Sequence, residues 1–247
     1  MPTRWLLIEI GNTHTRFAPA TGSKLGSRRV MIATRDLDAT SLRKATARFN
    51  FDCAVLCSVV PDAGRVVRRL FSDGLLEISS RCNLGFSLVG YPNPKSIGTD
   101  RLANVAGALA ARVRLPLVAV DAGTATTFDV LDAAGRFAGG VIAPGPEAFT
   151  GYLRARGAQL PDVHANPKRA PRILGRSTAA AIAAAAVHGY RGMAAEILAQ
   201  IRSATGARNL VVAGGAADWI GTLKGWSVRR EPDLTFRGML AIALRNS

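Results

Sequence analysis

The stretch Leu6-Leu7-Ile8-Glu9-Ile10-Gly11-Asn12-Thr13 has a counterpart close to half a chain length further on, Val118-Ala119-Val120-Asp121-Ala122-Gly123-Thr124-Ala125. Each copy is an apolar run that leads to an acidic residue. One apolar residue follows the acid, and glycine comes next. Each then continues through alternating or β-branched residues, a turn and a third apolar segment, which is the pattern of a three-stranded meander. Helical and strand patterns follow both meanders. The sequence therefore predicts a duplicated α/β fold with lobes at 1–115 and 116–247.

The composition is that of a globular protein with a sizeable core, since 48% of the 247 residues are apolar and 20% are charged. No apolar run approaches the ~18 residues of a membrane span, and the N-terminus lacks the apolar segment of a secretion signal. We therefore expect a cytoplasmic protein without membrane association. The three cysteines, Cys53, Cys57 and Cys82, match neither a CxxC pair nor a zinc site, which favours reduced structural thiols.

The chain is strongly basic, with 32 Lys and Arg against 17 Asp and Glu and a net charge of +15. This excess is compatible with nucleic-acid binding, with an anionic small substrate, or with a proteome that is basic throughout. The arginines are spread along the chain as single residues and short pairs such as Arg68-Arg69, without a basic tail or interleaved aromatic residues. This distribution does not favour nucleic acid as a partner.

Periodicity and breakers indicate where the other elements lie. Pro61 stands where proline favours the start of a helix, and Asp162–Pro171 has no periodicity, as expected of a surface loop. Strands are predicted at Ala54–Val60 and Asn209–Ala213. Helices are predicted at Ser41–Phe49, Asp62–Phe71, Asp100–Val113, Glu147–Ala158, Ser177–Ser203 with a break near Gly189, Asp218–Leu223 and Leu234–Leu244.

The two acidic turns indicate a phosphate-binding site. A strand that ends in an acidic residue, followed by glycine and a hydroxyl or amide residue, brings backbone N–H groups close to a ligand, and the carboxylate can hold a cation that bridges phosphate oxygens. Gly139-Gly140, Gly145 and Gly214-Gly215 offer further places for close backbone approach. Each turn alone is equally compatible with a tight structural turn, but their joint occurrence favours nucleotide binding. Walker, dinucleotide-binding, zinc-protease and serine-hydrolase motifs are absent.

Ser96-Ile97-Gly98-Thr99-Asp100-Arg101 is the second chemical signal. A helix that begins here offers its first N–H groups and the positive end of its dipole to an anion, and Arg101 adds donors suited to a carboxylate. Asp100 can then accept a proton from a substrate hydroxyl group. The alternative is an N-capping Thr99 or Asp100 beside a solvated arginine. His188, in an alanine-rich helix, is interpreted as a packed or capping residue.

Together these motifs resemble the type III pantothenate kinases, a family of the acetate and sugar kinase/Hsp70/actin superfamily. The resemblance covers nearly the whole chain. It implies two ribonuclease-H-like lobes, an actin-like ATPase duplication in which each lobe is a mixed sheet flanked by helices. It also implies ATP-dependent phosphorylation of pantothenate to 4′-phosphopantothenate, the first step of coenzyme A biosynthesis. Besides the acidic turns and glycine clusters, the motifs that carry it are Cys57-Ser58-Val59-Val60-Pro61, Tyr91, Gly98-Thr99-Asp100-Arg101, Gly175-Arg176-Ser177-Thr178, and Asp233-Leu234-Thr235 before Gly238.

The resemblance implies a role for each motif position, with Asp100 similar to the general base. The residues implied to line the pantothenate site are Tyr91, Gly98, Thr99, Arg101 and, from the neighbouring subunit of a homodimer, Thr178. The residues implied to contact the ATP phosphates are Gly11, Asn12, Thr13 and Thr124. The resemblance implies that Asp121 binds a monovalent cation, K⁺ or NH₄⁺. It also implies that Glu9 lies near a divalent Mg²⁺ ion and the phosphates.

Three positions depart from the family pattern. Glu9 replaces the usual aspartate, Ala213 replaces a threonine, and Ala183–Val187 is alanine-rich where the family is glycine-rich. On the sequence alone we expect Glu9→Asp to preserve or raise activity. Two alternative functions stay open: a non-enzymatic relative that acts as a transcriptional accessory factor, and a kinase for another small hydroxy acid.

Overall fold

The computed structural model describes residues 1–157 and 159–247 and divides into two compact units. The first unit comprises Met1–Val113, Gly135–Phe137 and Asp233–Ser247, and the second comprises Arg114–Ala134 and Ala138–Pro232. This division differs from the lobes at 1–115 and 116–247 that the sequence suggests, because the C-terminal segment belongs to the first unit.

The first unit contains a six-stranded mixed sheet. Its strands are β1 (Arg4–Ile10), β2 (His14–Thr21), β3 (Lys24–Leu25), β4 (Val30–Ala33), β5 (Cys53–Ser58) and β6 (Leu75–Glu77). β2 is antiparallel to β1 and pairs with both β3 and β4, whereas β5 runs parallel to β1 and β6 parallel to β5. The predicted meander is confirmed, with its third segment divided between two short strands.

The second unit contains a five-stranded sheet in the order β11-β10-β7-β8-β9. Its strands are β7 (Leu117–Ala122), β8 (Ala125–Leu131), β9 (Phe137–Pro144), β10 (Asn209–Ala213) and β11 (Ser227–Arg230). β8 is antiparallel to β7, and β10 runs parallel to both β7 and β11. Each unit therefore places a hairpin partner on one side of its first strand and a parallel strand on the other, which confirms the duplication.

Seven α-helices are present in the described parts of the chain. They are α1 (Ala39–Thr46), α2 (Pro61–Leu70), α3 (Thr99–Ala110), α4 (Glu147–Arg156), α5 (Thr178–Ala184), α6 (Tyr190–Thr205) and α7 (Leu234–Ala243). Local sequence explains two of the starts. Asp38 and Ser41 form a reciprocal capping box at α1, and Pro61 occupies the first position of α2. No helix of the described residues is both long enough and apolar enough to cross a membrane.

Each sheet packs its alternating apolar residues against helices. In the first unit Leu6, Ile8 and Leu56 pack with Leu42 of α1 and Val67 of α2. The alternate residues of β1 and β5, such as Leu7 and Val55, point to the other face of the sheet and are also buried. The helices α3 and α7 contact these two strands. In the second unit the core joins β7, β8 and β10 to α6. Burial on both faces explains why the central strands read as continuous apolar runs.

The two helices α3 and α7 approach each other unusually closely through glycine. A Cβ added to Gly238 would overlap the Ala103 carbonyl group, and one added to Gly107 would overlap the Leu234 carbonyl group. Thr235 also donates a 2.8 Å hydrogen bond to the buried side chain of Asn104. This packing explains why Asp233–Ser247 belongs to the first unit, which the sequence-based boundary misses.

Four other expectations need correction or qualification. The predicted helix at Asp218–Leu223 is only a short 3-10 turn at Ala217–Trp219, because Gly221 adopts φ 75° and ends it. The break near Gly189 is instead a wide π turn at Ala185–Gly189 that continues from α5 into α6. The short strands β6 and β11 were not predicted. The predicted end of one helix at Ala158 lies outside the described residues, and α4 ends at Arg156.

Candidate active site

Asp100 lies in the first turn of α3, where a negative charge is favourable at the positive end of the helix dipole. Its Oδ1 accepts a 2.8 Å hydrogen bond from the backbone N–H of Arg101. A Cβ on Gly98 would overlap that same oxygen, so glycine leaves the carboxylate free to keep this position. Burial raises the pKa of Asp100, against the opposing effects of the Arg101 N–H group and of the Arg101 charge. The result is a carboxylate that binds a proton more readily than usual.

Arg101 and Tyr91 meet at one aromatic ring. The Arg101 side chain is buried, with its guanidinium carbon 5.7 Å from the centroid of the Phe137 ring, a cation–π geometry. The Tyr91 ring packs edge-on against Phe137 at a centroid distance of 5.3 Å. The structure thus places Gly98 and Arg101 beside Asp100, and brings Tyr91 and Arg101 together at the Phe137 ring. Phe137 was missed, because nothing in the sequence distinguishes it from a core phenylalanine.

Thr99 uses its hydroxyl group within the protein. It donates a 2.9 Å hydrogen bond to the carbonyl group of Ser58 at the end of β5, and it lies 3.5 Å from the sulfur of Cys57. These bonds anchor the start of α3, and hence Asp100, to the sheet, and the expected place of Thr99 in the substrate site stays a prediction. Sequence reasoning did not predict the pairing of this motif with Cys57-Ser58.

Cys57, on β5, is buried and its sulfur faces Thr99 at the start of α3. Burial raises the pKa of its thiol well above the usual value, and the nearby carboxylates of Glu9 and Asp100 raise it further. The side chain is therefore a neutral thiol. This agrees with the expectation of structural thiols, and all three cysteines are free.

Glu9 faces Arg16 directly across the β1–β2 pair. Arg16 Nη2 lies 2.6 Å from Glu9 Oε1, and the Glu9 side chain is only 10% exposed. A carboxylate oxygen already engaged by a guanidinium is a poor direct ligand for a divalent ion. The ion pair with Arg16 therefore does not fit Glu9 Oε1 as a direct Mg²⁺ ligand, whereas a position of Glu9 near Mg²⁺ and the phosphates stays a prediction.

The turn between β1 and β2 is held by its own backbone and by Thr34. The Gly11 N–H bonds the carbonyl group of His14 at 3.0 Å, and Thr34 donates from its hydroxyl to the Gly11 carbonyl at 2.7 Å. The Thr34 N–H also bonds the Thr13 carbonyl at 2.9 Å. Asn12 and Thr13 are exposed at the tip of this rigid turn. The supporting role of Thr34 was not predicted.

In the second unit three glycine turns meet around Asp121. The N–H of Gly145 bonds the Thr124 carbonyl at 3.0 Å, and a Cβ on Gly145 would overlap Gly123. A Cβ on Gly214, which has φ 90°, would overlap the carboxylate of Asp121 and the backbone of the next residue. These glycines are therefore required for the close approach of one turn backbone to another, as the sequence indicated. Asp121 lies near the carboxyl end of the central strand β7, and Thr124 lies in the turn that follows it.

The predicted site residues are divided between the two compact units. Tyr91, Gly98, Asp100 and Arg101, and the turn at Gly11–Thr13 with Glu9, belong to the first unit. Asp121 and Thr124 belong to the second unit. Thr178 also belongs to the second unit, where it is exposed as the first residue of α5, just after the N-cap Ser177.

Solved structures share this fold. One is a Campylobacter jejuni protein named for the Baf family of transcriptional activators, with a TM-score of 0.62, 18% identity and coverage of 96% of each chain. Another is a ROK family glucokinase from Streptomyces griseus, with a TM-score of 0.53, 11% identity and coverage of 98% of this chain and 99% of that one. The fold class is therefore that of the actin-like ATPases and ROK sugar kinases.

Sequence comparison narrows the class to a family. The family model described as type III pantothenate kinase matches residues 5–200. A type III pantothenate kinase from Akkermansia muciniphila is 39% identical over 95% of this chain and 96% of its own length. One from Acidiphilium cryptum is 36% identical, with 98% and 94% covered. The chain belongs to the type III pantothenate kinase family.

Proposed function

We propose that this chain transfers the γ-phosphate of ATP to the hydroxyl group of pantothenate, with Asp100 as the general base. The observation that carries the assignment is the desolvated Asp100 carboxylate at the start of α3, beside the buried cation of Arg101. As the substrate hydroxyl oxygen forms its bond to the γ-phosphorus, the bond to ADP breaks and the hydroxyl proton passes to Asp100. Family membership supports the choice of ATP and pantothenate.

The raised pKa of Asp100 suits this role. An ordinary aspartate, with a pKa of about 3.9, holds a proton too weakly to be an effective base. Burial moves the Asp100 pKa upward and so strengthens it as an acceptor. The guanidinium group of Arg101, fixed over the Phe137 ring, is positioned to pair with the carboxylate of pantothenate.

We assign the ATP phosphates to the two glycine turns. These turns lack a Walker lysine and carry the amide side chain of Asn12 and the hydroxyl groups of Thr13 and Thr124, while the N–H groups of Gly11 and Gly123 bond within the turns. Asp121, beside Gly214, would hold a monovalent cation, K⁺ or NH₄⁺, which supplies positive charge next to the phosphates when it is bound.

We also propose that the active protein is a homodimer in which Thr178 of one subunit reaches the pantothenate bound by the other. Thr178 is exposed at the start of α5 in the second unit, whereas the Asp100 group belongs to the first unit. Immediately before it, Ile173 and Leu174 are 69% and 81% exposed, which is unusual for aliphatic side chains of this size. Burial of these residues by a second copy would remove that cost.

The test is ATP turnover with pantothenate in potassium buffer. We expect production of ADP and a phosphorylated product with pantothenate, and much slower turnover when K⁺ is replaced by a bulky tetraalkylammonium ion. A panel of other small hydroxy acids separates the alternative kinase substrates, and salt-dependent retention on DNA tests the transcriptional alternative. Absence of turnover with pantothenate, together with turnover of another acid, would refute the assignment.

A further inference from the structure

The long helix of the second unit contains one irregular turn whose side chains the proposed reaction does not use. The π turn Ala185–Gly189 inserts an extra residue between α5 and α6. Such turns are rare and occur mostly as single insertions, often at functional sites. Two polar side chains at this point of the helix reach neighbouring segments, and both bonds are short.

His188 and Arg191 both bond to backbone carbonyl groups of prolines in the loop before α5. His188 Nε2 lies 2.8 Å from the carbonyl oxygen of Pro171, and Arg191 Nη2 donates to the carbonyl oxygen of Pro167 at 2.7 Å. Since a carbonyl oxygen only accepts, the His188 proton must be on Nε2. Both bonds are partly buried. The helix therefore holds this loop at two points, four residues apart.

The loop held in this way is residues 166–177, which we name the strap. It contains no helix or strand, so its backbone has few bonds of its own. At its far end Gly175 packs so tightly against Ala180 and Ala181 that a Cβ would overlap their backbone. The strap runs directly into Ser177, whose hydroxyl caps α5. Displacement of the strap would therefore move the start of α5, and Thr178 with it.

The opposite side of the same turn bonds to the sheet. Tyr190 is fully buried and its hydroxyl group lies 2.8 Å from that of Thr126 on β8. Its ring packs edge-on against Phe149 and Trp219. The turn is thus fixed to the core on one side and to the strap on the other, so the strap is positioned by the sheet that carries Asp121 and Thr124.

We propose that His188 and Arg191 are positioning residues that hold the strap, and that they set the affinity for pantothenate by fixing Thr178. The inference rests on the proposed role of Thr178. A His188→Leu variant removes the donor at similar volume, whereas His188→Gln keeps an N–H donor that can reach the Pro171 carbonyl group. The control is His164→Leu, since His164 is exposed and lies before the strap.

Two measurements test the proposal. The strap contains exposed Lys168, Arg169, Arg172 and Arg176, so trypsin cleavage reports its release. We expect His188→Leu to be cleaved there at least about fivefold faster than the native protein under native conditions. We also expect its KM for pantothenate to rise at least about tenfold, with kcat and the KM for ATP changed by less than about twofold. His188→Gln and His164→Leu should resemble the native protein in both assays.

The outcomes separate the two proposals. Unchanged trypsin cleavage in a folded His188→Leu variant would show that the strap is not held by this bond. Faster cleavage without any change in the KM for pantothenate would show that the strap does not position the substrate residue. If His188→Leu does not fold, Arg191→Met against Arg191→Lys provides the same comparison at Pro167. If the native protein lacks pantothenate kinase activity, the proposed function fails, and the cleavage assay still decides whether the strap is held.

Discussion

At the scale of single residues, Asp100 is the proposed general base, and its buried carboxylate also lowers the stability of the protein. We expect Asp100→Asn to lower kcat by ~10²–10⁴-fold, because an amide cannot accept the hydroxyl proton. The same variant should be more stable than the native protein at neutral pH, since it no longer buries a carboxylate. The measurements are steady-state kinetics and thermal unfolding, with the exposed Asp73→Asn as the control.

The pH dependence of this stability gain follows from the direction of the pKa shift. Because the folded protein raises the pKa of Asp100, the folded state binds the proton more tightly than the unfolded chain does. The ionised carboxylate therefore costs stability above the raised pKa. The cost disappears as pH falls through that pKa towards the ordinary value of about 3.9. The stability difference between Asp100→Asn and the native protein should shrink over the same range; a difference independent of pH would contradict this account.

The ion pair between Glu9 and Arg16 changes the expected effect of the Glu9→Asp substitution. On the sequence alone, Glu9→Asp should be tolerated, but the short ion pair with Arg16 indicates that the longer acid is required. We expect Glu9→Asp to lower the melting temperature and, because the turn at Gly11–Thr13 follows directly, to lower activity as well.

A double-mutant cycle of Glu9→Asp with Arg16→Met measures this pair directly. Its coupling energy should fall in the range of about 0.5–3 kcal/mol that contacting residues show. The exposed pair Asp62–Arg65 is the control, with an expected coupling below about 0.5 kcal/mol. Independent effects of the two substitutions at Glu9 and Arg16 would show that the pair does not matter.

At the scale of elements, the contact between α3 and α7 depends on backbone proximity. Gly238→Ala places a methyl group on the Ala103 carbonyl group, so the helices must separate, and we expect a loss of stability of at least about 1–3 kcal/mol. Gly192→Ala is the matched control. It is also a helical glycine, with nothing within 4 Å of its added Cβ, and should stabilise the protein by about 0.5–1 kcal/mol. Equal effects in denaturant unfolding would contradict the packing argument.

The elements that sequence reasoning located are those whose local pattern and tertiary surroundings agree. Asn209–Ala213 was predicted with its observed bounds because a fully buried parallel strand reads as one apolar run. β11 was missed because its exposed edge position allows Arg229 and Arg230, which hide any alternation. The approach of α7 to α3 could not be predicted, since it depends on two glycines more than a hundred residues apart.

The candidate site divides in the same way. Asp100, the glycine turns and Asp121 could be selected as candidate site residues because each lies in a short local motif. Arg16, Thr34 and Phe137 were missed because each acts through a partner on another element. His188 is partly buried and bonded to the Pro171 carbonyl group, in line with a packing role, but this bond could not be predicted because it depends on the path of a loop without periodicity.

At the scale of the whole molecule, the proposed shared site predicts complementation between inactive variants. Asp100→Asn should be nearly inactive alone, and Thr178→Val nearly inactive at pantothenate concentrations far below its raised KM, where the mixture is assayed. If Asp100 and Thr178 of a site come from different subunits, a mixed dimer holds one site with neither substitution and one with both. With free subunit exchange, an equal mixture should recover about a quarter of native activity, because half of the dimers are mixed and each has one intact site.

The control for complementation is a mixture of Asp100→Asn with Asp100→Ala, which should stay inactive because no pairing restores the base. Light scattering should give the mass of a dimer under the assay conditions. A fully active monomer would refute the shared site, whatever the mixing experiment shows.

The buried thiol of Cys57, beside Thr99, also provides a way to measure local separation of α3 from β5. Cys53 and Cys82 are partly exposed, so an alkylating reagent should modify them in the native state, whereas Cys57 is reached only when α3 separates from β5. Labelling followed by mass spectrometry should therefore show two fast sites and one slow site. Since α3 carries Asp100, a bound ligand that holds this helix should slow the third labelling event further. The rate at which Cys57 is alkylated then becomes a measure of occupancy that requires no turnover.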